Sequence, residues 1–125
     1  MLPFALDIKT GSPVSEQIVY AVKKAVISGQ MRPGDKFPSV RVLSQELRIN
    51  PNTAHKVVAA LVNEGLLEVR PGIGTLIGEE RASTRKQRSE LLGGTVEKMV
   101  VEAKNLRLEL DDVVRAVEQH WNKLS

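Results

Sequence analysis

The side chains most able to do chemistry cluster in one short polar stretch, which begins Asn50-Pro51-Asn52-Thr53 and continues with His55 and Lys56. Asparagine followed by proline is typical of a helix start, so these groups would occupy the exposed first turn of a helix. Amides, hydroxyls and a cation in that position can donate hydrogen bonds to phosphate oxygens or to base edges. The alternative is a solvated first turn with ordinary caps, and this stretch alone does not decide between the two.

Three helices are predicted to position this stretch. The first follows Ser12-Pro13, with the serine as N-cap, and ends at Gly29; the second is capped by Ser39; the third runs from the Asn50 cap to Gly65. The second and third are joined by a tight turn, the helix-turn-helix arrangement in which the second member can enter a DNA major groove. The predicted apolar stripes are Val14, Ile18, Val22 and Ala25; Val40, Leu43 and Leu47; and Ala54, Val57, Val58 and Leu61.

A β-hairpin is predicted after the third helix. Residues 66–70 and 75–77 have strand character on either side of Pro71-Gly72-Ile73-Gly74, a turn with two glycines. A phosphate-binding glycine loop is disfavoured, because this turn leads into a second strand and not into a helix. Three helices followed by a hairpin is the element order of a winged helix.

This region resembles the winged-helix domain of the GntR family over residues 13–77, with the clearest matches at residues 33–44, 50–53 and 64–75. The resemblance implies a transcription regulator whose N-terminal domain binds double-stranded operator DNA, and we expect it to act as a repressor. It assigns DNA contacts to the cap and arginine of the second helix, the recognition helix and the wing. These residues are Ser39, Arg41, Asn50, Asn52, Thr53, His55, Lys56, Arg70, Gly72, Gly74 and Thr75.

Arg41 has the most specific role within that resemblance. It stands in Pro38-Ser39-Val40-Arg41, which matches the family pattern Pro-Ser-x-Arg, and the match implies that its side chain reaches into the DNA. A guanidinium can grip guanine O6 and N7 bidentately. Without the match, a surface arginine after an N-cap would be the simpler interpretation.

The excess of positive charge lies in the N-terminal part of the chain, as expected if this part binds DNA. Residues 1–78 contain nine Lys and Arg against six Asp and Glu, whereas residues 79–125 contain nine of each. The net charge of +3 therefore comes from the first part alone. We expect a winged helix-turn-helix domain over residues 1–78 and a helical tail over residues 79–125, in a mainly α fold with a small β-hairpin wing.

The tail is predicted to contain two amphipathic helices, the first with its apolar stripe between Leu91 and Leu106 and the second starting at Asp111-Asp112. Residues 102–114 resemble the two-helix tail of the YtrA-like subfamily, which usually has glycine at the position of Arg107. Gly93-Gly94 interrupts the first helix at a cost of about 1 kcal/mol per glycine, so the pair predicts a kink or a close helix approach.

These stripes exceed what two helices can cover by packing on each other, so we expect the tail to form a homodimer. The alternative is a monomer whose tail packs back on its own winged helix. A two-fold dimer would present two recognition helices to an inverted-repeat operator. The predicted dimer contacts are Leu92, Val96, Met99, Val100, Ala103, Val113, Val117 and Trp121.

The sequence contains no residue pattern that is typical of an enzyme active site or a metal site. Cysteine is absent, His55 and His120 are the two histidines, and the carboxylates are spread over charged helix faces. We therefore expect no catalytic residue, no metal and no cofactor. The remaining alternatives are a protein-interaction module that has lost DNA binding and a fragment of a larger regulator.

The N-terminus lacks the features of a signal peptide, and no run approaches the ~20 apolar residues of a membrane span. We therefore expect a cytoplasmic protein without a membrane partner. Two helices cannot easily enclose a ligand pocket. A small-molecule effector is the one further partner left open, and its identity is unknown.

Overall fold

The computed structural model describes residues 2–124, and the chain divides between Glu80 and Arg81 into two compact units. The fold is mainly helical with one antiparallel hairpin, which confirms the predicted class. In the described range, no helix combines the length and the apolar character needed to cross a membrane. The elements are α1 (Val14–Ile27), α2 (Val40–Leu47), α3 (Pro51–Asn63), β1 (Leu67–Arg70), β2 (Gly74–Ile77), α4 (Arg85–Ser89), a π-helical segment (Glu90–Thr95), α5 (Val96–Asn105) and α6 (Leu110–Lys123).

The core of the first unit is built from the inward faces of its three helices. Ile18 and Val22 of α1, Leu43 of α2, and Val57 and Leu61 of α3 are completely buried. They recur at the helical period, which is why the predicted stripes face inward. Burial of a side chain of this size contributes roughly 1.5–3 kcal/mol relative to exposure. The cluster is completed by Phe4, Ala21, Ala25, Met31, Phe37, Ala54, Leu67 and Ile77.

The predicted N-cap of α1 is wrong by one residue. The helix begins at Val14, and Pro13 occupies the cap position in an extended conformation with no side-chain cap. The carbonyl of Ser12 instead accepts a hydrogen bond from Gln17 Nε2 at 3.0 Å. Ser12 therefore belongs to the segment before the helix, and Pro13 is the N-cap residue that directly precedes the first helical residue.

Gln17 also ties this preceding segment to α1. Its Nε2 donates to the carbonyl of Lys9 at 2.7 Å, and its Oε1 accepts from the Lys9 amide at 2.9 Å. Further along the same segment, the ring of Phe4 stacks parallel to that of Phe37, with centroids 6.1 Å apart. Residues before α1 thus contribute to the core, although no stripe or motif in the sequence predicted this.

The wing is attached to the body by a third extended segment. In the hairpin, Leu67 pairs with Ile77 and Arg70 pairs with Gly74. On the other side of β2, the Phe37 amide donates to the carbonyl of Thr75, and the Ile77 amide donates to the carbonyl of Asp35, each at 2.8 Å. Residues 35–37 therefore cover the outer edge of β2.

The second unit consists of one long helical stretch and one further helix. α4, the π-helical segment and α5 follow one another from Arg85 to Asn105, and Gly93-Gly94 lies in the π-helical part. α6 begins at Leu110, one residue before the predicted start, so that Asp111 and Asp112 lie in its first turn, and the Glu109 amide donates to Asp112 Oδ2 at 2.9 Å. Between the helices, Arg107 has a φ of 60°, the left-handed conformation that glycine would adopt more readily at this position.

Gly78 lies directly against the backbone of Gly65 and Leu66. Its amide donates to the carbonyl of Leu66 at 2.8 Å, and a Cβ at position 78 would lie 2.6 Å from the carbonyl oxygen of Gly65. Because this oxygen belongs to the backbone, it cannot move aside as the end of a flexible side chain could.

We expect Gly78→Ala to lower the free energy of unfolding by about 1–3 kcal/mol, because the added methyl overpacks this contact. Gly94→Ala is the control, since a Cβ there meets nothing within 4 Å. That change should be neutral or stabilising by up to about 1 kcal/mol through helix propensity. Urea unfolding followed by circular dichroism measures both, and equal midpoints for the two variants would contradict the steric argument.

Candidate nucleic-acid interface

The helix-turn-helix begins with a capped α2. Ser39 Oγ accepts from the amide of Val42 at 3.2 Å, so the predicted cap is confirmed. Arg41 lies in the first turn of α2, and its position is about 200° around the helix from the buried Leu43. Its side chain is exposed and has no hydrogen-bond or ion-pair partner within residues 2–124. A guanidinium in this position is free to meet an external acceptor.

α3, the predicted recognition helix, begins with the predicted asparagine cap. Asn50 Oδ1 accepts from the amide of Asn52 at 2.8 Å, and Pro51 occupies the first helical position. The cap occupies the Asn50 oxygen, so the NH2 group of this side chain is what remains for a ligand. The Ser39 hydroxyl, another predicted contact, is likewise used in part for capping.

The two faces of α3 are sharply different. Ala54, Val57 and Leu61 are fully buried, whereas Asn52 and His55 are exposed on the opposite face. Burial of one stripe therefore forces the other outward. Thr53 is half-buried on the flank of this polar face.

Lys56 lies at the edge of the polar face that is nearest to α1. It lines an open groove together with Tyr20 and Lys23, and Lys23 Nζ in turn pairs with Glu64 Oε1 at 3.0 Å. The structure thus brings together four of the predicted α3 residues on adjoining parts of one helix surface. Their contact with DNA stays a prediction.

The wing turn has the backbone conformation that its glycines predict. Gly72 and Gly74 have φ values of 79° and 117°, which a side chain at either position would strain. The amide of Ile73 donates to the carbonyl of Arg70 at 3.0 Å and closes the turn. Thr75 is half-buried and supplies a carbonyl to the edge ladder, so its hydroxyl is the group left for a ligand.

Arg70 is engaged in a weak ion pair at the base of the wing. Its Nε lies 3.4 Å from Glu68 Oε1, and both side chains are nearly half exposed. A surface pair of this kind is worth roughly 0–1 kcal/mol. The guanidinium can therefore exchange this partner for a phosphate at little cost.

Two further exposed cations lie beside this surface and were not among the predicted residues. Arg48 is the C-cap of α2 in the left-handed conformation, within the turn that leads to α3. Lys36 forms the bridge to Leu76 at the edge of the wing. Arg48 could have been found from its place in the turn, whereas Lys36 joins the wing only through the tertiary pairing.

The predicted dimer contacts in the second unit are mostly exposed. Trp121 is 76% exposed and Leu92 is 68% exposed, and Met99, Val100 and Val117 are exposed as well. Val96 and Val113 are half-buried, and Ala103 is buried, which leaves it little surface for a partner. The described residues contain no cluster of three or more histidine or acidic side chains that could hold a metal ion.

Comparison with known proteins identifies relatives that cover most of the chain. The profile of the bacterial regulatory proteins of the gntR family matches residues 14–77. The HTH-type transcriptional repressor YtrA of Bacillus subtilis is 33% identical over 107 residues, which cover 85% of this chain and 82% of YtrA.

Solved structures share the fold. A transcriptional antiterminator from Listeria monocytogenes EGD-e superposes with a TM-score of 0.88 at 23% identity, covering 96% of this chain and 92% of that one. The DNA-binding domain of AraR in complex with the operator ORX1 is 26% identical with a TM-score of 0.51, over 58% of this chain and 93% of the AraR chain. The fold of this chain therefore includes a domain type that has been seen on operator DNA.

The two asparagines at the start of α3 allow the stability contributed by the cap to be distinguished from the effect of removing an exposed side chain. We expect Asn50→Ala to lower the free energy of unfolding by about 1 kcal/mol, because the amide of Asn52 loses its acceptor. Asn52→Ala is the matched control, since no hydrogen bond of its side chain occurs within residues 2–124. Urea unfolding measures the stability of both variants, and equal values would contradict a stabilising role for the Asn50 cap.

Proposed function

Because the chain belongs to the bacterial GntR family of regulatory proteins, we propose that it is a repressor that binds an inverted-repeat operator as a homodimer. The family makes it a transcription regulator with a DNA-binding winged helix. The proposal adds the sign of regulation, the symmetry of the operator and the assembly of the protein.

One observation carries the DNA-binding part of the proposal. The polar face of α3, with Asn52 and His55, points away from the core. The neighbouring helix carries Arg41, whose guanidinium has no partner among residues 2–124. Polar groups on a protruding helix suit the major groove, where each base pair presents a distinct pattern of donors and acceptors. We assign base contacts to Arg41 and to this face.

Other predicted residues suit contacts with the phosphate backbone. Lys56 is a flexible ammonium at the edge of α3, and such groups mostly meet phosphates as point charges. In the wing, Arg70 and the open turn at Gly72 and Gly74 would lie along the backbone or in the minor groove. The amide of Asn50 and the hydroxyls of Ser39 and Thr75 add neutral donors at the two ends of this surface.

The homodimer is inferred from the apolar surface of the second unit. α6 carries Val113, Val117 and Trp121 at intervals of four residues, together with Val114 beside them, and of these only Val113 is half-buried. An indole that is 76% exposed in the free chain is poorly placed unless something covers it. A second copy presents an identical stripe, and a two-fold interface would cover both.

Dimerisation and operator symmetry follow from one another. Two winged helices related by a two-fold axis would reach major grooves about 34–36 Å apart, which corresponds to half-sites one helical turn apart. The repressor function is supported by the name of the relative YtrA, a transcriptional repressor.

We expect Arg41→Ala to weaken operator binding by about 1–3 kcal/mol without changing the fold, because the lost partner is a base edge and not the core. The operator is first obtained by selecting duplexes from a random library with the full chain. Arg41→Lys keeps the charge but cannot grip a base bidentately, so it should restore nonspecific binding more than sequence preference. Identical titration curves for the alanine variant and the wild type would exclude Arg41 from the site.

We expect residues 81–125 to supply dimerisation and most of the operator affinity. A chain ending at Glu80 keeps the whole first unit, and it should sediment as a monomer. Because linking two half-sites raises avidity by roughly 10²–10⁴, the shortened chain should bind the full operator weaker by that factor. It should also prefer the full operator over a half-site only slightly.

A point variant tests the same interface in the intact chain. Trp121→Ser should shift the sedimentation of the full chain toward the monomer, whereas Gln119→Ser, on another face of α6, should leave it unchanged. A monomeric wild type at micromolar concentration would contradict the homodimer, as would a shortened chain that binds the full operator as tightly as the wild type.

A further inference from the structure

The second unit has its positive charge sorted to one end. Residues 81–88 contain Arg81, Arg85, Lys86 and Arg88 and no acidic residue, whereas residues 89–125 contain five Lys and Arg against seven Asp and Glu. The basic segment directly follows the first unit along the chain. Glu79 and Glu80 precede this segment and Glu90 follows it, so the excess of positive charge is confined to residues 81–89, whereas both signs are interspersed in the rest of the second unit.

These cations occupy a place that is unfavourable for the isolated chain. Arg85 and Lys86 lie in the first turn of the helical stretch that starts with α4 and continues to Asn105, and this turn contains no acidic residue. The start of a helix carries partial positive charge, so cations there are repelled and anions are attracted. α6 in the same unit follows the usual rule, since Asp111 and Asp112 lie in its first turn.

Arg85 and Arg88 also share one face of the helix. They line a single shallow groove with Ser89 and Gly93, and like charges three residues apart repel each other. Arg85 has no side-chain partner within residues 2–124, and Arg88 has only a 3.4 Å contact to the carbonyl of Ser83. Lys86 differs, because its Nζ lies 4.0 Å from Glu90 Oε1.

We propose that Arg85 and Arg88 bind backbone phosphates of the operator outside the segment contacted by α3 and the wing. The inference rests on the proposed function, because it requires DNA as the partner. Each subunit would then hold its operator by a second contact that is independent of base sequence. Phosphates relieve the repulsion between the two guanidiniums.

The length of the connection makes this contact sterically accessible. Residues 78–84 separate β2 from α4, and seven residues span at most about 25 Å when extended. Successive phosphates of one strand are about 3.4 Å apart along the helix axis, so a reach of about 25 Å from the base of the wing corresponds to about seven phosphates. Flanking duplex of one helical turn therefore includes every phosphate within reach.

The test compares salt dependence of binding in full-length chains. The variant Arg85→Gln with Arg88→Gln is titrated on the selected operator with about ten base pairs of flanking duplex on each side. Each phosphate contact contributes about 0.9 to the slope of log affinity against log salt, so the slope should fall by about two units per half-site. At about 0.1 M salt the same loss corresponds to binding roughly 60-fold weaker per half-site, with the preferred sequence unchanged.

Two control variants and one trimmed duplex make the result specific. Arg85→Lys with Arg88→Lys keeps both charges and should restore the slope. Lys104→Gln with Lys123→Gln removes the same charge elsewhere in the second unit and should leave the slope at the wild-type value. On a duplex without the flanks, wild type and the glutamine variant should bind alike.

Equal slopes for wild type and the Arg85→Gln, Arg88→Gln variant on the flanked operator would overturn the inference. So would an equal loss in the Lys104→Gln, Lys123→Gln control, or a changed sedimentation of the glutamine variant that accounts for its weaker binding. If the wild type itself binds no selected duplex, the proposed function fails. If it binds and the two arginines are dispensable, only the present inference fails.

Discussion

The structure depends above all on burial of the apolar stripe of α3. Ala54, Val57 and Leu61 are completely buried, and because an α-helix turns by about 100° per residue, their burial holds Asn52 and His55 on the surface. The same packing joins α3 to α1 and α2. The orientation of the candidate DNA surface is therefore a consequence of the core.

Capping and recognition share the same residues at the helix-turn-helix. Ser39 and Asn50 hold the first amides of α2 and α3, so they stabilise the two helices that carry the candidate contacts. Substituting either residue would lower the stability of the fold and at the same time remove a candidate DNA-contacting side chain. Asn52 and Arg41 differ, since their side chains make no hydrogen bond within the described chain, and they are the cleaner probes of DNA binding.

The second unit differs from the first in how few of its large apolar side chains are buried. Its two helical stretches leave most of their large apolar side chains exposed, and its cations are concentrated at one end. Arg107 takes up the left-handed turn between α5 and α6 without glycine, so the subfamily's usual residue is not needed for the two-helix tail to form. The apolar surface and the separate basic end are the two features on which the proposed homodimer and the proposed phosphate contact rest.

The sequence by itself determined the order of the elements, the caps at Ser39 and Asn50, the inward stripes and the glycine turn of the wing. These features depend on local rules, because caps, helical periodicity and positive φ values involve residues a few positions apart. The face of α3 that is exposed followed from the same periodicity. Only the tertiary structure decided that Gln17 binds the segment before α1, that Phe4 stacks on Phe37, and that residues 34–37 cover the edge of β2. Such contacts join segments whose separation along the chain leaves no periodic trace, so they are selected only when the whole core packs together.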